Sequence, residues 1–189
     1  MLKTMLSLKS MTAIQALGIC TFGTQSWKTA TLVFKATSNN TYTFGYAHIT
    51  SVTSGQSDPK SRESRSCQEA TIPQRLGSRI FLTHRFRLEQ RKVDRQDRRN
   101  RFRYFAGLNY PFSQDNLGEG ALYLSLYNEV FVNLEQNIGN NRSVDNFDRN
   151  RSYVALGYSV SDDVRLQFGY MHQETDAWGK GQLQFKLFH

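Results

Sequence analysis

The chain is poor in the features that mark most function classes. It has 2 cysteines, Cys20 and Cys67, without a Cys-x-x-Cys spacing, and 4 scattered histidines, so no zinc pattern is present. A disulfide between the two thiols would need an oxidising compartment, and two separate thiols fit the sequence equally well. No run approaches the roughly 20 apolar residues that a membrane helix needs. No window carries helical periodicity, and mean hydropathy is −0.56. That value alone would class the chain as soluble, but it is blind to membrane strands, whose apolar residues come at every second position. A hydrolase needs a nucleophile and a base together. His84 with Ser125, or His172 with a loop carboxylate, are the available nominees, and neither sits in a Ser-His-acid spacing. No enzyme is expected, and nothing in the sequence asks for a cofactor.

What the chain does have is charge and alternation. The formal charge is +8 in 189 residues, and aromatic residues make up 13%. A basic total fits nucleic-acid binding, an anionic surface or a basic pore lining, so the pattern must decide. Residues 79–93 are the clearest stretch. Ile80, Leu82, His84, Phe86 and Leu88 fall on one side of a strand, and Phe81, Thr83, Arg85, Arg87, Glu89 and Arg91 on the other. At about 3.3 Å per residue such a strand is roughly 50 Å long, whereas ordinary globular strands run about 5–6 residues. Long strands with one apolar and one charged face suit a transmembrane β-barrel.

The same alternation recurs along the chain. Residues 99–110 set Phe102, Tyr104, Ala106 and Leu108 against Arg101, Arg103, Phe105 and Gly107. Residues 121–133 set Leu122, Leu124, Leu126 and Val130 against Tyr123, Ser125, Tyr127 and Glu129. Residues 149–160, 164–171 and 182–187 repeat the pattern, with Arg149, Arg151 and Arg165 on the polar side. Upstream, residues 27–35 and 41–48 form an expected hairpin, 51–66 an exposed loop, and 67–74 a short strand whose far end Pro73 disfavours. This gives about nine strands. A closed bacterial barrel takes an even number, which points to one strand misread or missing, with the N-terminal part the place to look. Residues 1–24, with Lys3 and Lys9 ahead of an apolar run, read as an export signal, an irregular start or a first strand. Residues 25–189 read as a single β-barrel domain. The expected fold is therefore all-β: an antiparallel up-and-down transmembrane β-barrel of roughly 8–12 strands. With the C-terminal end placed at the periplasm, short turns and long loops mostly alternate as they do in outer-membrane barrels. Residues 111–120 are long for their side, and 94–98 short for theirs.

The pieces His84-Arg85-Phe86-Arg87-Leu88-Glu89-Gln90-Arg91, Arg101-Phe102-Arg103-Tyr104 and Tyr127-Asn128-Glu129-Val130-Phe131-Val132-Asn133 carry a family resemblance. So do Phe147-Asp148-Arg149-Asn150-Arg151, Leu156-Gly157-Tyr158 and Gly169-Tyr170-Met171. In their order and spacing the chain, best over residues 69–189, resembles the outer-membrane β-barrel family known as domain of unknown function 2490. The resemblance implies a place in the bacterial outer membrane and no assigned activity. Outer-membrane barrels usually end on an aromatic residue; here Phe188 is penultimate and His189 follows.

The candidate site is the polar face: Arg85, Arg87, Glu89, Arg91, Arg101, Arg103, Glu129, Arg149, Arg151 and Arg165 are expected to line a lumen. One reading is a narrow anion-selective pore, since guanidinium groups bind carboxylates and phosphates through a rigid fork. Small anions or acidic oligosaccharides would then be its solutes. The other is a structural barrel plugged by ion pairs, because small barrels fill their interiors with side chains and buried charge must be paired. Nucleic-acid binding is not expected, as Phe102 and Tyr104 point away from Arg101 and Arg103. Tyr42, Tyr46, Tyr104, Tyr110, Tyr158 and Tyr170 fall on the apolar side, as an interfacial girdle against outer-membrane lipid would require. The alternative is a soluble lipocalin-like barrel binding a hydrophobic ligand, with the apolar face inward and the arginines outward. A monomer is expected in either case.

Overall fold

The computed structural model describes residues 13–22, 25–36, 39–52 and 60–188. They form ten strands: β1 (Ala13–Phe22), β2 (Gln25–Lys35), β3 (Thr41–Val52), β4 (Lys60–Leu76), β5 (Ile80–Val93), β6 (Arg99–Pro111), β7 (Leu122–Asn133), β8 (Phe147–Ser159), β9 (Arg165–Glu174) and β10 (Gly179–Phe188). The strands make one sheet in chain order, each antiparallel to the next. Such a meander follows from the sequence: alternating segments rich in Phe, Tyr, Val and Leu, joined by short polar connections.

The expectation of a closed barrel needs correction. Among the described residues no ladder joins β1 to β10, so the sheet is open. It is nevertheless strongly curled. Arg85 on β5 reaches Glu129 on β7 at 2.7 Å, and the Lys186 ammonium on β10 lies 4.9 Å from the Tyr127 ring centre on β7. Alternation specifies which side chains share a face. Closure depends on backbone hydrogen bonds across a seam, and these leave no period-two signature.

Two further differences lie near the N-terminus. The extra strand is β1, inside the stretch expected to hold a signal or a first strand; residues 1–12 and 23–24 lie outside the described residues. The expected loop 51–66 is shorter than read, since β3 runs to Val52 and β4 begins at Lys60, and residues 53–59 lie outside the described part. Residues 60–66 are polar on both faces, so apolar periodicity could not reveal them. Pro73 lies inside β4, opposite Thr83 on β5. The β3 ladder stops at Thr71, so Pro73 sits where no neighbour on that side needs its missing N–H.

The connections gather at two ends. At one, residues 94–98 carry residues 134–146: the Asp97 amide donates to the Ile138 carbonyl at 2.9 Å, and Arg142 donates to the Arg95 carbonyl. At the other, the turn at residues 77–79, which turns on Gly77 at φ +60°, meets residues 112–121 through Arg79 and Asp115 at 2.5 Å. Ser159 donates to the Leu117 carbonyl there at 2.9 Å.

The two faces are opposite in character. Leu156, Phe168, Leu183, Phe185 and Leu187 are more than half exposed on the convex face, with Phe168 at 59% and Leu183 at 71%. Tyr42, Tyr46, Tyr158 and Tyr170 are also exposed there, each by roughly half. The buried side chains lie on the concave face: Glu89, Arg101, Arg103 and Glu129 beside Tyr123, Phe131 and Tyr153. Glycine makes room for this packing. Gly157 pairs with Tyr123, whose ring occupies the space a Cβ at residue 157 would need, a cross-strand aromatic covering a glycine.

Candidate functional site

The charged concave face is the one concentration of chemistry among the described residues. Register explains how it assembles. Arg87 stands directly opposite Arg103, and Arg65 opposite Arg91. Like charges in such positions repel, so acids must lie between them.

Glu89 is the centre, with 0% exposure. Its Oε2 accepts from Arg101 Nε at 2.9 Å and Nη2 at 2.6 Å, and its Oε1 accepts from Arg103 Nη1 at 2.6 Å. Arg87 and Arg65 stand 3.7 Å and 3.9 Å away. Glu129 is the second hub. Its Oε1 accepts from Arg103 Nη2 at 2.6 Å and Arg85 Nη2 at 2.7 Å, with Arg151 at 3.9 Å. Glu69 takes Arg87 and, at 3.7 Å, Arg85. Glu63 takes Arg91 at 2.6 Å and Arg65 at 2.9 Å. Asp148 takes Arg101 at 2.8 Å and Arg149 at 2.9 Å. Arg101 therefore joins Glu89 to Asp148, and Arg103 joins Glu89 to Glu129, so the pairs form one network from β4 to β8.

Phe131, 2% exposed, fills the middle of the cations. The guanidinium carbons of Arg103, Arg151, Arg101 and Arg149 lie 4.4, 4.9, 5.2 and 5.7 Å from its ring centre. The face of an aromatic ring attracts cations, which eases the crowding of like charge. Towards the other end the lining turns aromatic. Tyr127 stacks on Tyr153 with ring centres 4.7 Å apart, and Phe105 lies 5.1 Å from Tyr127. The Lys186 ammonium sits 3.6 Å from the Tyr153 ring centre. A cavity of about 430 Å³ opens beside this aromatic group.

Of the expected lining residues, Arg85, Arg87, Glu89, Arg91, Arg101, Arg103, Glu129, Arg149 and Arg151 come together in the network. Arg165 does not. It lies at the opposite end of its strand, between Ser159 and Phe188, and its Nε is buried without a hydrogen-bond partner. The sequence reading missed Glu63, Arg65, Glu69, Asp148 and Phe131. The first three alternate as Glu63-x-Arg65-x-Cys67-x-Glu69, a period-two charge signal that runs from the stretch taken for loop, which holds Glu63 and Arg65, into the short strand read after it, which holds Glu69. His84 and Ser125 are not brought together. Ser125 is buried on the concave face, while His84 meets the Tyr104 hydroxyl at 2.9 Å on the other side. No group of His, Cys, Asp or Glu among the described residues is placed to hold a metal ion.

Fold and face together define a class: an antiparallel up-and-down β-protein, charged on its concave side and apolar on its convex side. The family described as "Protein of unknown function (DUF2490)" matches residues 23–184, and the chain belongs to that family. No curated protein matches the chain.

Proposed function

We propose that the chain is a transmembrane β-barrel of the bacterial outer membrane whose interior is plugged by the Arg–Glu network. The observation that carries this reading is the inverted distribution of side chains: Glu89 at 0% exposure, Phe168 at 59% and Leu183 at 71%. Water around the convex face would leave apolar rows exposed on strand after strand, and such patches mark contact surfaces. Strands of 10 to 17 residues meet or exceed the about 9–11 that cross a bilayer. With ten strands in an alternating meander, β1 and β10 run antiparallel, the orientation a closing ladder needs. The lipocalin-like alternative requires apolar side chains inside and arginines outside, the reverse of this arrangement.

Plug is favoured over pore because each acid of the network is shared between at least two arginines, which ties the side chains across the interior. The protein then acts as a structural barrel, or through its outer connections, and conducts little. Cell fractionation with a gel of the unboiled protein tests the location. The expected result is recovery in the outer-membrane fraction, solubility only in detergent, and a heat-modifiable band. A folded monomer in the soluble fraction without detergent would return the lipocalin-like reading.

A further inference from the structure

We infer that the cavity beside the aromatic group is a binding site for a small hydroxylated ring carboxylate, with Lys186 as its counter-ion. This rests on the reading of the concave face as an enclosed interior. The cavity, about 430 Å³, is lined among others by Phe105, Asn109, Ser125, Tyr127, Lys186 and Phe188. Small-molecule sites run about 300–1,000 Å³ and join apolar walls to a few convergent polar groups.

Lys186 is the feature that asks for a ligand. The network arginines have acids; Lys186 has only the rings of Tyr153 at 3.6 Å and Tyr127 at 4.9 Å, and no ion pair or hydrogen bond among the described residues. Aromatic faces attract an ammonium but accept none of its N–H protons as a carboxylate oxygen does. Glu129 also borders the cavity, yet its Oε1 is committed to Arg85 and Arg103. With Arg85 and Lys186 both facing the space, positive charge remains in excess.

The second request comes from Asn109. Its Oδ1 is buried and has no hydrogen-bond partner, a rare condition in a native fold. The atom is shielded from the cavity as the side chain stands, and a turn of the Asn109 amide would bring it to a ligand hydroxyl. Phe105 and Tyr127, in the same lining, offer a wall for a ring. A sugar acid and a hydroxylated aromatic acid share this chemistry, and the test separates them.

The experiment titrates full-length protein refolded in detergent, using only preparations whose unboiled band is shifted. Failure of the barrel is thereby seen on the gel, and failure of the site in the calorimeter. The probes are D-glucuronate and 4-hydroxybenzoate, with D-glucose and phenol as neutral counterparts. At least one acid should bind, and its neutral counterpart at least about tenfold more weakly. Lys186→Gln should lose about tenfold in affinity, and Lys186→Arg should keep it within about threefold. No binding of either acid to folded protein, or wild-type affinity in Lys186→Gln, would overturn the inference. If Lys186→Gln does not fold, the comparison on wild type decides: equal affinity for acid and neutral counterpart overturns it, and preference for the acid supports it.

Discussion

Glu89→Gln is the sharpest perturbation of the network. It keeps the volume of the side chain and removes its charge. Three donor contacts lose a charged acceptor: Arg101 at 2.9 and 2.6 Å, and Arg103 at 2.6 Å. Breaking a buried pair costs about 3–5 kcal/mol. Here each arginine keeps a second acid, Asp148 at 2.8 Å for Arg101 and Glu129 at 2.6 Å for Arg103. The loss should therefore sit at the lower end, about 3 kcal/mol. Urea unfolding in micelles, followed by the mobility of the unboiled band, measures it. With a slope of about 1–3 kcal/mol per molar urea, the midpoint should fall by about 1–3 M. A cycle with Arg101→Met should show coupling of about 1–3 kcal/mol, as expected of residues in one network. A midpoint moved by less than about 0.2 M, or strictly additive losses, would refute the account of Glu89 as the centre.

Glu129→Ala strips Arg85 and Arg103 of their shared acid but leaves them Glu69 at 3.7 Å and Glu89 at 2.6 Å, so by the same logic it should cost about 3 kcal/mol; the same urea titration reads it. Phe168→Lys, on the exposed convex row, should destabilise by about 2–4 kcal/mol in lipid. In a protein whose convex face met water it would change stability by less than about 0.5 kcal/mol, so refolding in bilayers separates the two cases. Gly157→Val should cost about 1–3 kcal/mol, because the Tyr123 ring fills the space a side chain needs; a midpoint equal to wild type would show the ring free to move. In a planar bilayer the wild type should show no steady conductance, and Glu89→Ala with Arg101→Ala and Arg103→Ala should raise it. An anion current through the wild type would mean the network leaves a path.

The legible part of the fold was the part where one face is apolar. From β5 to β10, Leu, Phe, Tyr and Val at every second position marked both the strands and the face that carries the arginines. The beginning of β4 was illegible because Arg62, Ser64 and Ser66 alternate with Glu63 and Arg65, polar against polar. Missing it removed Glu63 from the site, and Glu69, inside the short strand that was read, was not set on the charged face; without these acids the face looks more basic than it is. Asp148 was lost for a related reason: it lies one residue before Arg149, next to the register shift between Phe131 and Val132, where strict alternation fails. The pairing of Glu129 with Arg103 could be read, because neighbouring strands had to place them on one side. The seam could not, since backbone groups at an edge are the same in every sequence.

The inverted faces also determine when this fold can form. In water, curling the sheet would take charges out of solvent on one side and leave Leu156, Phe168, Leu183, Phe185 and Leu187 hydrated on the other. Burying such a side chain contributes about 1.5–3 kcal/mol, and none of that gain is available from contacts within the chain. On the proposed membrane reading, that part of the driving force comes from the lipid that covers the convex rows, beside what the chain gains by burying Tyr123, Phe131 and Tyr153. On the same reading, collapse ahead of that encounter would lead to aggregation rather than to this structure, and folding and insertion into an apolar medium would be one thermodynamic event. The native state would then belong to the chain and its medium jointly.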